Sequence, residues 1–219
     1  PEKALAAYKQ VISNYPGSEE AKIALQDLKS VYIDLNDINA YASYVNSIGG
    51  NIRLEVGEQD SLTYIAAEKL FMRGDNDGAR RSLINYLQTF PEGAFSSNAN
   101  FYLGSIAFAK KEFDEAIQRF KSVIASGDTK FLEESVARTA EIEYLSKDYP
   151  AALESFKRLQ IVAENPENRQ AARLGIMRCA LQTGQQKDAL LAADELLKEP
   201  KLSPELEAEA RYVRAKAYI

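Results

Sequence analysis

Residues 98–125 read NANFYLGSIAFAKKEFDEAIQRFKSVIA, and this stretch decides the fold. Apolar residues recur every three or four positions on both sides of Glu112, which is the periodicity of amphipathic helices. A short polar turn between two such segments predicts a helical hairpin. The same pattern returns along the whole chain, so the hairpin is the repeating unit of the fold.

Each copy of the hairpin carries a pair of residues four apart in its second helix, Ala116 and Phe120 in the quoted stretch. The first member of the pair recurs at a nearly constant interval of roughly 37 positions, which is within the range of helical repeats. A repeat of this length built on helical pairs indicates a solenoid, whose units stack because none can bury its apolar face alone. The equivalent pairs are Ala4 and Tyr8, a looser Tyr41 and Val45, Ala79 and Leu83, Ala152 and Phe156, and Ala189 and Ala193.

The composition also favours helix, because the 219 residues include only 11 Gly, 7 Pro and no Trp. We therefore predict an all-α fold, a right-handed superhelical solenoid of stacked antiparallel helix hairpins. We expect one repeat domain over residues 1–219, cut from a longer array. Its units are predicted at 1–17, 18–57, 58–93, 94–128, 129–166 and 167–202, with a partial unit at 203–219.

One linker differs from the others. Residues 49–60 read GGNIRLEVGEQD, with two adjacent glycines and no helical stripe. We predict a longer loop here, with a short extended piece at 52–56. It is either a simple insertion on the solvent side or a functional loop, and the sequence leaves both open.

Charge and hydropathy exclude several classes of partner. The net charge is −5, and Lys and Arg are scattered among carboxylates, whereas nucleic acid binding needs a concentrated basic face. No apolar stretch approaches the length of about 18 residues that a membrane-spanning helix needs, so we expect no membrane insertion. Cys179, the single cysteine, lies in the apolar run LGIMRCAL and is predicted to be a buried hydrophobe.

Residues for catalysis are scarce. The chain has no histidine, which is the commonest general base and metal ligand. Neighbouring carboxylates point to different faces of a helix, so we interpret them as solvated surface. We therefore predict no enzymatic activity, no metal and no cofactor. The carboxylates in question are Glu133 and Glu134, Glu141 and Glu143, and Glu205, Glu207 and Glu209.

The unit at 94–128 resembles a tetratricopeptide repeat. That family's pattern has a Leu-Gly pair in the first helix and an Ala and a Phe four apart in the second. This resemblance implies a solenoid that binds protein segments. The chain departs from the pattern because it has no Trp, a bulky Tyr41 at one small position, and a longer period than the family's usual one of about 34 residues. The matching residues are Leu103, Gly104, Ala107, Phe113, Ala116 and Phe120.

A narrower resemblance comes from EQDSLTYIAAEKLFMRGD at 58–75 and FPEGAFSSNANFYLG at 90–104. These runs are similar to repeat regions of large bacterial cell-envelope proteins, including the periplasmic coordinator of the Tol-Pal system. The resemblance implies a location in the periplasm or cell envelope. Nothing in the composition indicates that location.

The candidate binding surface is a stripe along the first helices of successive units. Residues seven apart lie on one helical face, and aromatic side chains alternate there with polar ones. In proteins of the resembled family, these positions line a concave groove. We expect Tyr64, Phe101 and Tyr144 to keep part of their rings in solvent, but the same aromatics could instead pack hairpin against hairpin. The predicted groove residues are Tyr64, Glu68, Phe71, Phe101, Ser105, Phe108, Glu141, Tyr144, Arg178 and Lys216.

Two functions follow from these observations. The first is a non-catalytic scaffold that binds a peptide or partner segment in its groove. The alternative is a structural element of a bacterial envelope complex, joined through its ends or convex face. The last helix carries an apolar stripe without a partner helix, so we also expect residues 205–219 to fray or to contact another copy.

Overall fold

The computed structural model describes residues 1–127 and 129–216. These residues form helices joined by turns and short linkers, and none of them lies in a β-strand. The helices are α1 (Glu2–Asn14), α2 (Glu19–Leu35), α3 (Ile38–Ile48), α4 (Val56–Met72), α5 (Asn76–Thr89), α6 (Ser96–Ala109), α7 (Phe113–Ser126), α8 (Leu132–Leu145), α9 (Tyr149–Val162), α10 (Pro166–Gln182), α11 (Gln186–Leu197) and α12 (Pro204–Lys216).

The chain divides into two compact units, residues 1–103 and 104–219. In the first unit, α2 pairs with α3, α4 pairs with α5, and α2 packs against α4. In the second unit, α8 pairs with α9, α10 pairs with α11, and α10 packs against both α8 and α12. The predicted all-α fold of stacked helix hairpins is confirmed. The assignment of one domain stays a prediction, and Tyr218 and Ile219 at the end of the apolar stripe lie outside the described residues.

Each hairpin turn contains one residue in the left-handed conformation, at intervals that follow the repeat. Glycine adopts this conformation without cost, and Asn more easily than most residues. Lysine occupies it twice, so the turn geometry is imposed by the packing of the two helices it joins. The residues are Asn36 (φ 55°), Gly74 (φ 81°), Lys111 (φ 60°), Lys147 (φ 62°) and Gly184 (φ 74°).

The predicted loop at 49–60 is shorter than expected, because α4 already begins at Val56. The sequence does not indicate this first turn, because Gly57 is a poor helix former and the residues around it have no apolar stripe. Glu58 stabilises the turn, since an acidic side chain at a helix N-terminus faces the positive end of the helix dipole. The predicted extended piece at 52–56 is corrected at its end, because Val56 is helical, whereas Glu55 just before it has an extended backbone.

The core contains most of the paired positions that define the repeat. Ala116 and Phe120 are both almost completely buried. A Cβ atom on Gly104 would lie 2.8 Å from the Phe120 ring, so the Leu-Gly pair allows the ring to pack directly on the α6 backbone. Cys179 is also fully buried, as predicted, and burial raises the pKa of its thiol to about 11.

Asp60, in the first turns of α4, binds the linker between α5 and α6. It is buried, and its carboxylate accepts hydrogen bonds from the Tyr86 hydroxyl at 2.6 Å and the Ala94 backbone N–H at 2.9 Å. Burial, followed by the hydrogen bond to Asp60, raises the pKa of Tyr86. The carboxylate thus fixes the point where the chain leaves α5.

In the second unit, polar residues at equivalent positions of the first helices also form hydrogen bonds with the following linker. The Glu133 carboxylate accepts hydrogen bonds from the backbone N–H groups of Glu164 at 3.0 Å and Asn165 at 3.1 Å. In the next hairpin, the Gln170 amide donates to the Glu199 carboxylate at 2.6 Å. A polar residue near the start of a first helix therefore holds the following linker in both units.

Candidate functional site

A groove of about 290 Å³ lies between α8 and α10 in the second unit, and we call it the α8–α10 groove. Both helices are the first helices of their hairpins, and α9 contributes to the floor. The lining residues are Glu134, Ala137, Arg138, Glu141, Tyr144, Leu145, Phe156, Leu159, Asn168, Ala171, Leu174, Gly175 and Arg178.

The floor of the groove is apolar and is shaped by one aromatic ring. Phe156 is almost completely buried, and Leu159 beside it is buried. A Cβ atom on Gly175 would lie 2.4 Å from the Phe156 ring, so only glycine fits there without movement of the ring. Ala137 and Ala171 leave the space above the floor open, because their side chains are short.

Tyr144 forms one wall of the groove. Its ring meets the Tyr149 and Phe156 rings edge to face, with centroids 5.7 Å and 6.4 Å apart. Such aromatic pairs contribute stability beyond the area they bury. The ring is half-buried, so part of it remains accessible to a ligand.

Arg138 lies on the α8 side of the groove between two carboxylates. Its Nε atom donates to Glu134 at 2.8 Å, and its Nη1 atom donates to Glu141 at 3.0 Å. The guanidinium lies 4.8 Å from the centroid of the Phe108 ring, within the range of a cation–π contact. These contacts hold the arginine along the rim.

Arg178 lies on the α10 side and binds Glu209 of α12 through two hydrogen bonds, of 2.7 Å and 2.8 Å. These hydrogen bonds lower the pKa of Glu209 and raise that of Arg178, and they outweigh partial burial, which acts in the opposite direction. The bidentate geometry favours both charged forms. This pair links the groove to the next helix of the stack.

The structure brings three of the predicted groove residues together, namely Glu141, Tyr144 and Arg178. Phe101 and Tyr144, two of the three aromatic residues whose rings were expected to keep part of their surface in solvent, are half-buried. Phe71 is half-buried against Tyr102, with ring centroids 4.7 Å apart. Outside the α8–α10 groove lie Ser105 and Phe108, which are half-buried, and Lys216, which is exposed.

The predicted exposure of Tyr64 is wrong, because only 2% of the residue is accessible. Its ring stacks on Phe95, with centroids 4.4 Å apart and planes 2° from parallel. Its hydroxyl donates to the Glu68 carboxylate at 2.6 Å, and the Tyr102 hydroxyl donates to the same carboxylate at 3.1 Å. Burial and the bond to Glu68 raise the pKa of Tyr64. Tyr64 and Glu68 therefore join α4 to α6.

The interpretation of all paired carboxylates as solvated surface is also corrected. Glu143 is buried, accepts a hydrogen bond from the Ser155 hydroxyl at 2.5 Å, and lies 3.2 Å from the Lys121 ammonium. Glu133 holds the linker after α9. Hydrogen bonds to Asn168 and two backbone amides lower its pKa, although partial burial acts in the opposite direction. These carboxylates have structural partners inside the unit.

Several groove residues were missed by the sequence analysis. Arg138, Asn168, Ala171 and Gly175 belong to neither the aromatic stripe nor its polar positions. The signal that could have located the groove is the pair of small residues at 171 and 175, because a gap between two helices needs small residues on at least one of them.

Among residues 1–127 and 129–216, no group of three or more Asp, Glu or Cys side chains could hold a metal ion. Over the same residues, no helix is both long enough and apolar enough to cross a membrane.

Comparison with known families addresses the repeat itself. Family models described as tetratricopeptide repeat match residues 66–129 and residues 1–18. These two segments are similar to tetratricopeptide repeats. No curated protein sequence matches the chain.

Solved structures of several proteins share the fold. MamA AMB-1 is 14% identical, with 87% of this chain and 98% of that chain covered and a TM-score of 0.56. A second MamA crystal structure is 17% identical, with 74% and 88% covered and a TM-score of 0.54. YrrB is 12% identical, with 94% and 98% covered and a TM-score of 0.53. At these identities the likeness shows the fold alone.

The narrower resemblance to Tol-Pal-associated envelope proteins receives no support from these comparisons. The matched family models describe the repeat and name no pathway or compartment. A periplasmic or envelope location therefore stays a prediction from two sequence runs.

Proposed function

We propose that the chain is a non-catalytic protein-interaction scaffold that binds a peptide or partner segment in the α8–α10 groove. The observation that carries this proposal is the groove itself, which combines an apolar floor with charged rims on two stacked first helices. Binding sites commonly join an apolar surface to a few polar groups that fix orientation. YrrB, which has the same fold, is described as a TPR protein with an unusual peptide-binding site.

Three of the residues singled out in the sequence support the same proposal. Tyr144 offers a rigid, partly accessible ring, and rigid aromatic side chains dominate the energetics of many interfaces. Glu141 on α8 and Arg178 on α10 add charged groups to the lining of the same groove. A partner segment lying along the groove would contact all three at once.

The proposal is tested with a phage-displayed library of random peptides, selected on the purified chain. The Ala171→Trp variant fills the groove from its exposed side, so we expect peptides enriched on the wild-type chain to bind this variant at least about tenfold more weakly. Fluorescence polarisation with the enriched peptides measures the affinity. The matched control is Ala125→Trp, which adds the same side chain at an exposed position of α7.

The control variant should bind the enriched peptides as the wild type does. Circular dichroism of both variants checks that the helices remain intact. Enrichment of no peptide, or equal binding to Ala171→Trp, would contradict binding in the groove.

The alternative function, an assembly element of an envelope complex, is favoured by exposed apolar side chains elsewhere in the second unit. Ile161 on α9 and Leu191 on α11 are 84% and 64% exposed, and neither lines the groove. Tyr212 on α12 is exposed as well, and self-association through that helix stays a prediction. Assembly through these residues would give a mass that rises with protein concentration, and Ala171→Trp would leave that rise unchanged.

A further inference from the structure

We propose that the α8–α10 groove selects partner segments in which a large apolar side chain lies close to a lysine or an arginine. This inference rests on the proposed function and adds the chemistry of the partner. It depends on the composition of the floor and on the distribution of charge along the rims.

The floor requires an apolar anchor. Phe156, Leu159 and Leu174 present carbon surface to the groove, and Ala137 and Ala171 leave room above it. The volume of about 290 Å³ is at the lower end of the range of roughly 300–1,000 Å³ that is typical of ligand pockets. It therefore suits a few side chains of an extended or helical segment, and a Leu, Ile, Met or Phe would bury the most carbon surface there.

The α8 rim carries more negative than positive charge. The carboxylates of Glu134 and Glu141 flank the single guanidinium of Arg138 there, while Arg178 on the α10 side is paired with Glu209 of α12. Each guanidinium is already held by at least one carboxylate at hydrogen-bond distance. An acidic partner would have to displace one of these carboxylates to reach a guanidinium.

The α8 rim remains open to a cation. The side chains of Glu134 and Glu141 are 43% and 47% exposed, and each accepts one hydrogen bond from Arg138. An ionised carboxylate has about four lone-pair sites, so both can accept further hydrogen bonds from a partner. A lysine or arginine would add to the existing pairs without breaking them, and the net charge of −5 attracts basic segments over longer distances.

The test uses three pools of fluorescein-labelled nine-residue peptides with a central Leu. The two residues on each side of the Leu are Lys in the first pool, Glu in the second and Gln in the third, and the other positions are random. We expect the wild-type chain to bind the Lys pool about tenfold more tightly than the Glu pool, because charge pairs at an interface rim discriminate between partners. The Gln pool should have intermediate affinity.

Two variants separate the charge of the rim from the groove itself. Glu134→Gln combined with Glu141→Gln keeps the shape of the rim and should reduce the preference for Lys over Glu to about twofold or less. Raising the salt from about 0.05 M to 0.5 M should reduce the preference in the wild type, because exposed charges are screened. Ala171→Trp should abolish binding of every pool.

The outcomes distinguish this inference from the function it rests on. The inference is overturned if the three pools bind equally, or if the Glu pool binds most tightly. The scaffold function still stands in either case, provided that Ala171→Trp blocks the binding. A preference for Lys that persists in the double Gln variant also overturns the inference. If no pool binds the wild-type chain, and no displayed peptide is enriched on it, the scaffold function fails and the inference fails with it.

Discussion

Two surfaces of the molecule are built from equivalent helices but differ in the side chains between those helices. One lies between α2 and α4, and the other lies between α8 and α10. Between α2 and α4, long charged side chains cross from one helix to the other. Lys29 contacts Glu58 at 3.1 Å, while Asp34 pairs with Lys69 and, at 3.0 Å, with Arg73. These ion pairs bridge the two helices, and we call this bridged region of the first unit the covered surface.

Between α8 and α10, the equivalent space is open. Ala137, Ala171 and Gly175 face it with little or no side chain, and Arg138 turns along its own helix to Glu134 and Glu141. The comparison teaches that side-chain length decides whether the space between two first helices is bridged or open. The repeat spacing alone does not distinguish the two surfaces.

The largest effect is expected from Phe156→Ala, which removes the floor of the open groove. The free energy of unfolding should fall by about 3–5 kcal/mol, because a buried ring is lost and a cavity is left over Gly175. Unfolding in urea measures the change. Ile161→Ala on the same helix is the control, since Ile161 is 84% exposed and its loss should cost no more than about 0.5 kcal/mol. Equal stability of the two variants would mean that Phe156 does not support the groove.

A smaller effect is expected from Gly175→Ala, which adds one methyl group to the open groove. The new Cβ atom would lie 2.4 Å from the Phe156 ring, so the ring must move, at a cost of about 1–3 kcal/mol. Gly57→Ala is the matched control on α4, because no atom lies within 4 Å of its Cβ position. In a helix this change should be neutral or stabilise by about 0.4–1 kcal/mol. A loss of stability in Gly175→Ala with no loss in Gly57→Ala, measured by thermal unfolding, would support the comparison, whereas equal effects would contradict it.

The smallest effect is expected from Lys29→Ala, which removes one ion pair from the covered surface. The side chains of Lys29 and Glu58 are 33% and 41% exposed, so the loss should be about 0–1 kcal/mol and should shrink further at high salt. Lys22→Ala, which breaks an exposed pair with Glu19 within α2, serves as the control. A loss above about 2 kcal/mol would show that the ion pairs support the first unit and do not merely cover it.

Much of the fold could be predicted because the repeat depends on local periodicity. The interval between Ala116 and its equivalents located every hairpin, and the apolar run around Cys179 indicated its burial. Three groove residues, including Tyr144, were predicted because they occupy equivalent positions on first helices. Both predictions rely on patterns that are complete within one repeat and its immediate neighbour.

The rest could not be predicted because it depends on contacts between distant segments. Tyr64 has the same helical position as other stripe residues, but Phe95 from a later linker stacks on it and removes it from solvent. Asp60 looked like part of a loop, and the positions of Tyr86 and Ala94 in the folded chain explain its burial. The contact between Gly175 and the Phe156 ring could have been predicted, because a glycine in a first helix leaves room for a ring from the neighbouring second helix.

Because Cys179 is buried, its reaction with a thiol reagent can be used to detect local opening of α10. Cys179 is the only thiol in the chain, it is inaccessible, and its pKa of about 11 leaves little of the reactive thiolate at neutral pH. A thiol reagent can modify it only when α10 moves away from its neighbours. The rate of alkylation therefore measures local opening of the helix that carries Gly175 and Arg178, without any engineered label.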